Sequence, residues 1–402
     1  MTPTDAAYAT ESGRTLLGGQ YPPAWPSWRR AQTANTWVVV PGNTIASINP
    51  ENNAAINPNY PSSSPWRGIT GQTALVTAWN GMSYDKTLDE ISMPLGGGHG
   101  DYGGNENYWN LLGVDTPTWR MPRNPSGAVG NLITLNDGQE AAGVYADGRL
   151  RAIHNYNNIL HVPGVGHCVV RQSGKYIADG PNGQRLHSID RTTGEATLIL
   201  DWNSLSITGS PYGGSCYDSL RNCIYTIGVG NTPMVKINLN TLVASVVVSS
   251  NNYVGAYAKL VYLAAYDLVA VFQSSGTGYP QKFYLFDPSN SYAQISPTLT
   301  GSFSSGFTFN GQIGADWDDT AHKFYLWNNS TSTTEISTLA PSGNPRTQSW
   351  VESVLSVDGS NAVTPTAMAA NQTYGRFAHS PNLGGCWLLN AVGESIRFFA
   401  LE

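Results

Sequence analysis

Apolar positions along this chain recur in short runs, and helical spacing is almost absent. Runs such as "TWVVVP" (36–41) and "LVASVVV" (242–248) are rich in Val, Ile, Tyr and Trp and lie between clusters of Gly, Asn, Asp and Ser. That alternation of strand-length runs and turn chemistry predicts an all-β chain. A longer period is superimposed on it: apolar strand, Tyr/Asp turn, apolar strand, loop, strand ending in Asp or Asn, turn, strand. Copies start near 78, 153, 213, 258, 313 and 374. A period of this length is the mark of a repeat architecture. The sixth copy, "YGRFAHSPNLGGCWLLNAVGESIRFFAL" (374–401), has three strands where the others have four. "ANTWVVVPGN" (34–43) supplies the missing one, because its "TWVVVP" matches the "TWRMP" that ends the first copy. A ring closed in this way leaves no free sheet edge in its last blade. The reading is a six-bladed β-propeller over 34–402, with seven blades as the alternative, closed by strand 34–41.

The blades fall at about 73–122, 151–201, 210–249, 255–303, 311–352 and 373–402. Residues 1–33, with "YPPAWPSWRR", form an N-terminal arm, and 44–72 and 122–150 are long loops. Long loops in compact domains are usually functional or disordered.

Composition narrows the function classes. Charged residues make up 12% of the chain against 41% apolar, and the net charge is −6. The chain can build a core but has no basic face for nucleic acid. No apolar run approaches the length of a membrane span, and "MTPTDAAYATESGR" has no basic and apolar leader pattern. Assembly in a cytoplasm is therefore expected. Aligning "VPGVGHC", "YDSLRNC" and "SPNLGGC" puts Cys168, Cys223 and Cys386 at one position of three blades, too far apart to pair. Cys216 is the one cysteine that could pair with Cys223. No CxxC or paired His spacing is present, so neither a metal nor a cofactor is expected.

"YDKTLDEISMPLGGGHGDYGGNENYWNLL" (84–112) resembles the Kelch-type, galactose-oxidase-like propellers, with Gly97 and Gly98 as the glycine pair and Trp119 as the outer-strand aromatic. "DGRLRAIHNYNNILHVPG" (147–164) and the closing segment are similar to blades of the same group. The resemblance implies the fold and says little about activity. The copper site of the oxidase does not carry over: "RFAHS" (376–380) has Ala378 where the family places a Tyr. Sialidase-type boxes are absent.

Two sets of candidate residues follow. "GGGHGDYGGNENY" (96–108) lacks the Lys of a phosphate loop and runs into a strand. Its glycines have a backbone explanation: close packing at the axis and positive φ. In the propeller, His99, Asp101 and Tyr102 lie on a loop at the face where Arg151 and His154 enter the next blade. These five are the candidate ligand site at a channel mouth, with an inter-loop hydrogen-bond network as the competing reading. The second set is Trp25, Trp28, Tyr60 and Trp66 in the arm and long loop. They are candidate interface anchors, with sugar stacking and packing on the chain's own propeller as alternatives. Asp316, Asp318 and Asp319 of "ADWDD" read as turn formers.

The expected function is that of a structural protein of a tailed-bacteriophage virion, in the tail, working by symmetric assembly with other virion proteins. The alternatives are a carbohydrate-binding or carbohydrate-cleaving propeller that meets surface carbohydrate, and a Kelch-like interaction module of a bacterial cell.

Overall fold

The computed structural model describes residues 25–53, 68, 70–97, 101–126, 145, 148–171, 183–205, 207, 210–229, 232–249, 257–273, 282–301, 313–327, 334–367 and 373–402. The first strand, β1 (Trp37–Val39), pairs with the last strand of the chain, with Trp37 opposite Phe399. Between these two partners the chain makes six small sheets.

The first blade is β2 (Ser83–Asp85), β3 (Glu90–Pro94) and β4 (Asn107–Leu111), with Arg120 bridged to Trp109 on its outer side. The second is β5 (Ile159–Val162), β6 (Gly166–Arg171), β7 (Arg185–Ile189) and β8 (Ala196–Asp201). The third is β9 (Ser210–Asp218), β10 (Cys223–Val229), β11 (Met234–Asn238) and β12 (Val243–Val248). The fourth is β13 (Lys259–Leu263), β14 (Leu268–Gln273), β15 (Lys282–Asp287) and β16 (Ala293–Ile295). In the fifth, β17 (Leu299–Thr300) runs parallel to the outer strand of β18 (Gly314–Asp318), β19 (Lys323–Trp327), β20 (Ile336–Pro341) and β21 (Trp350–Leu355). The sixth is β22 (Phe377–Ser380), β23 (Gly385–Leu388), β24 (Arg397–Ala400) and β1. This is the six-bladed ring that the repeat predicts, closed by the N-terminal strand.

Burial explains the letters of each strand. Second strands are covered on both faces, so β14 reads "LVAVFQ" and every residue in it is buried. Outer strands face water, and β12 has no fully buried position. The aromatic core residues sit between blades, as in the Phe272, Phe283, Phe324, Trp317 and Trp350 cluster joining the fourth and fifth.

The closure is reinforced beyond the strand. Trp37 is 3% exposed, stacks on Phe399 and donates its indole N–H to Thr334 O at 2.7 Å. Next to it a short helix, α1 (Ser27–Arg30), carries Arg29 into the seam between chain start and chain end. The fully buried guanidinium donates to Leu383 O at 2.7 Å and Glu402 O at 2.6 Å, and lies 3.9 Å from the centre of the Trp25 ring. All four cysteines are free and buried. The register puts Asp218 opposite Cys223 and Tyr225 opposite Cys216, so those two thiols are not cross-strand partners.

Replacing Trp37 by Ala removes a buried ring from the joint between the first and last strands. The expected loss is about 3–5 kcal/mol, the usual range for a buried Trp, read as a lower denaturation midpoint in urea.

Candidate functional site

The inner strand of every blade starts near the ring axis, and the residue types there follow a rule. Among the described residues, aligning the starts puts Trp79, Tyr156, Tyr212, Tyr257 and Tyr374 at one position. Trp79, Tyr156, Tyr257 and Tyr374 all have positive φ, between 48° and 67°. Non-glycine residues rarely adopt that conformation, so a shared constraint is at work. The constraint is contact across the axis. Tyr156, Tyr257 and Tyr374, from the second, fourth and sixth blades, meet with ring centroids 5.8, 5.9 and 6.3 Å apart. They stopper one end of the channel.

Two residues further on, the alternation inverts. Blades one, three and five have Gly81, Gly214 and Gly314, while blades two, four and six have Asn158, Lys259 and Arg376. A Cβ on Gly81 would sit 2.4 Å from Tyr156 O, and one on Gly214 would sit 2.5 Å from Ala258 O. The same three odd blades close their first hairpin with a carboxylate. Asp85, Asp218 and Asp318 each accept two turn N–H groups at 2.8–3.3 Å. The string Gly-x-x-aromatic-Asp occurs at 81–85, 214–218 and 314–318. At the axis the six blades are three pairs.

Below the tyrosine stopper lies a cavity of about 370 Å³. Asn157 and Gly375, each next to a stopper tyrosine, mark its closed end, and the hairpin residues Lys86, Pro163, Ser219 and Asp319 mark its open end. Its wall carries Tyr84, Tyr217, Tyr262 and Trp317. The first three tie their hydroxyls to the turn five residues on: Tyr84 to Asp89 at 2.6 Å, Tyr217 to Asn222 at 3.0 Å and Tyr262 to Asp267 at 3.0 Å. The ring faces are thereby held as a fixed collar.

The polar groups in the cavity are few. Lys86 bridges Asp316 at 2.9 Å and donates to Trp317 O at 2.8 Å. Asp316 also accepts the His379 backbone N–H at 2.9 Å. Its pKa is lowered although burial alone would raise it, because Lys86 and Lys259 stand close. Asp316 is therefore not the turn former its sequence neighbourhood suggests; that role belongs to Asp318. Burial pushes the Lys259 ammonium down to about 8 and the His161 imidazole down to about 4.

The residues expected at the opposite mouth are divided by the structure. Asp101 and His154 do meet, with His154 Nε2 3.0 Å from Asp101 Oδ2. Asp101 also accepts the Thr70 hydroxyl at 2.9 Å, and its backbone oxygen accepts the N–H groups of Thr70 and Gly71. His154 packs on Trp79 at 4.9 Å, beside the stopper. The pair ties loops together next to a closed mouth, and His99 lies outside the described residues. Tyr102 is not at that mouth. It is fully buried and donates to Glu106 Oε1 at 2.6 Å, which also accepts from Tyr108 at 2.8 Å and Asn49 at 3.3 Å. The loop folds back to make this contact: Tyr102 N–H donates to Gly97 O at 2.7 Å, and Gly97 has φ of 97°. Arg151 is buried as well, with its guanidinium 5.5 Å from the Tyr145 ring.

Of the aromatic anchors, Trp28 is buried in its own propeller and donates to Val114 O at 2.9 Å. Trp25, half-buried, donates to Asn382 O at 3.0 Å. Both rings belong to the closing seam and are not free to anchor a neighbour. Tyr60 and Trp66 lie outside the described residues.

A further polar cluster links the first two blades. Ser83 Oγ bonds to His167 Nδ1, His167 Nε2 lies 3.3 Å from Glu90 Oε1, and Arg191 donates to the same oxygen at 2.8 Å. Ser83, His167 and Glu90 are 3%, 1% and 0% exposed, which makes them an interblade tie.

No family model and no curated protein matches the chain. Solved structures align with the chain at low identity. A structural genomics protein of unknown function from Bacteroides thetaiotaomicron aligns over 91% of this chain and 75% of its own, at 11% identity and a TM-score of 0.48. An auxiliary nutrient binding protein from Bacteroides ovatus aligns over 92% and 77%, at 9% identity and 0.48. The GH74 enzyme of Niastella koreensis aligns over 92% of this chain but 53% of its own, at 12% identity and 0.46.

Burial raises the pKa of Glu106 above the ordinary carboxylate value of 4.5. A raised folded-state pKa means a contribution to stability that is full at acid pH and lost as pH rises through that value. Glu106→Gln keeps an acceptor for the same three donors and removes the titration. The variant should gain stability relative to wild type as pH rises from 4.5 to 8. Urea midpoints at the two pH values measure it.

Proposed function

We propose that this chain works by binding: a small polar ligand of sugar size enters the axial cavity from its open end. One observation carries this reading. The channel is a blind pocket, stoppered by three tyrosines, about 370 Å³ in volume and walled by fixed aromatic rings with a few polar groups. Ligand sites are typically concave, largely preformed and of this size, with apolar walls and a small number of placed polar groups. Flat aromatic faces beside hydrogen-bonding side chains suit the alternating apolar and hydroxylated faces of a sugar. The scaffold is of the Kelch-type, galactose-oxidase-like kind, used here for recognition.

A second reading, a structural part of a tailed-bacteriophage tail, is favoured by a different feature. The outer strands of the adjacent second and third blades expose Leu198 at 52%, Val243 at 56% and Val246 at 42%. Apolar side chains on unpaired outer strands are suited to contact with another subunit. Low charge and an abundance of Gly, Asn, Ser and Thr fit a neutral assembling surface.

The two readings separate experimentally. A monosaccharide panel followed by Trp fluorescence and thermal shift should give at least one ligand that raises the melting temperature. Trp317→Ala should weaken that ligand tenfold or more. Crystals soaked with the same panel that hold only water in the cavity would remove the binding reading. Light scattering of wild type and a Leu198→Asp, Val243→Asp double variant tests assembly: a multimer that the variant dissolves is the expected result.

A further inference from the structure

Three blades place a large side chain where the other three have glycine, and these three large side chains differ in one respect. Asn158 Oδ1 accepts the Ser215 hydroxyl at 2.9 Å. Arg376 donates Nε to Leu389 O at 3.2 Å and Nη1 to Asn80 O. Both are committed to holding blades together. Lys259 lines the cavity, and among the described residues it has no hydrogen-bond or ion-pair partner. Its nearest charges are Asp316, which draws it, and Lys86, which repels it. Asp316 is already engaged by Lys86 and by the His379 N–H.

Resting on the reading of the cavity as a binding site, we infer that its ligand carries an anionic group, a carboxylate or a phosphate, and that Lys259 is the residue that receives it. Lys259 is half-buried and faces the cavity, where a bound anion would give its ammonium a charge-assisted partner. The neighbours permit it. Lys86 adds a second positive charge on the path inward. His161 is held neutral by burial and adds no charge. The His379 imidazole is likewise pushed down to about 4. Asp319 stands at the rim, where it accepts the Trp317 indole N–H at 2.9 Å, and Asp218 is taken up by its own turn and Arg221. The closed end of the pocket therefore has one uncommitted charge, and it is positive. Lysine suits this role as a point charge that accepts either carboxylate or phosphate geometry. Because burial brings the ammonium down to about 8, it is charged at neutral pH and loses its charge as pH rises past that value. Anion affinity should fall over the same interval.

Reductive methylation of the intact protein with formaldehyde and cyanoborohydride, read per lysine by peptide mass spectrometry, tests the inference. Lys259 should be modified at pH 7.5 without added ligand. Glucuronate or glucose 6-phosphate should slow that modification at least fivefold while glucose does not, and the two anions compared show which group is preferred. The protection should shrink by pH 9.5. In parallel, calorimetry should show glucuronate or glucose 6-phosphate binding to wild type and at least tenfold weaker binding to Lys259→Met. If Lys259 resists methylation while other lysines react, the pocket is closed and the binding reading falls with the inference. If Lys259 reacts but glucose protects as well as the anions do, the pocket stands and the anion inference is overturned. If it reacts and none of the three protects, the anion inference is overturned as well.

Discussion

Six strands that converge on one axis run out of room before they touch, and this steric limit organises the molecule. Where the inner strands start, a side chain on every strand would place Cβ atoms inside the backbone of the next blade. Gly81 and Gly214 show the clash directly, because the atoms they approach are main-chain oxygens that no rotamer change can move. The chain resolves it by alternation: glycine on the odd blades, Asn158, Lys259 or Arg376 on the even ones. Removing half of the side chains makes space for the other half to be large. The same arithmetic lets three tyrosines from the even blades reach the axis together and stay in a strained backbone conformation, held by one another's rings.

Closing the ring raises a second problem, since the first and last strands are far apart in sequence and their pairing has a high entropic cost. The chain meets it with redundancy. Three ladder pairs between β1 and β24 would be a weak joint alone. Trp37 adds an apolar lock inside the seam, and Arg29 adds a polar one, its Nε donating to Leu383 O and its Nη2 to the Gly384 and Glu402 oxygens. Buried hydrogen bonds to charged donors are worth more than neutral ones. That is why the arm's Trp25 and Trp28 turn inward. Trp25 covers the guanidinium and Trp28 packs on Phe398, so aromatic residues that look like anchors for a partner are anchors for the chain itself.

Much of this is legible in the sequence, and the residues show where legibility ends. The blade rhythm and the closing strand can be read because they depend on local runs such as "TWVVVP" and on turn residues. Gly97 of "GGGHGDY" takes the positive φ that the reading as a backbone feature expects. The Gly-x-x-aromatic-Asp string at 81–85, 214–218 and 314–318 is also in plain view, but only if every second copy is compared; the even blades break it and hide it. Tyr102 misleads because loop residues next to a His and an Asp look solvent-facing. The sequence does not reveal that Glu106, four residues on, draws the phenol inside. Asp316 misleads because it stands two residues before the true turn carboxylate. Lys86, Lys259 and Asp316 belong to three different blades and share no local pattern, so only the closed ring brings them together.

The two ends of the axis differ for one reason. At the end where inner strands begin, alternate blades contribute tyrosines that meet, and the channel shuts. At the other end the same strands leave through hairpins, and the aromatic side chains of Tyr84, Tyr217 and Tyr262 are drawn outward to residues of their own turns instead of inward to each other. Opposite tethering of similar side chains leaves a pocket between a closed floor and an open collar. The alternation that clears the axis also decides what stands on that floor. Of the three large side chains it admits, two are used to join blades. The third, Lys259, is left facing the space that the glycines of its neighbours provide.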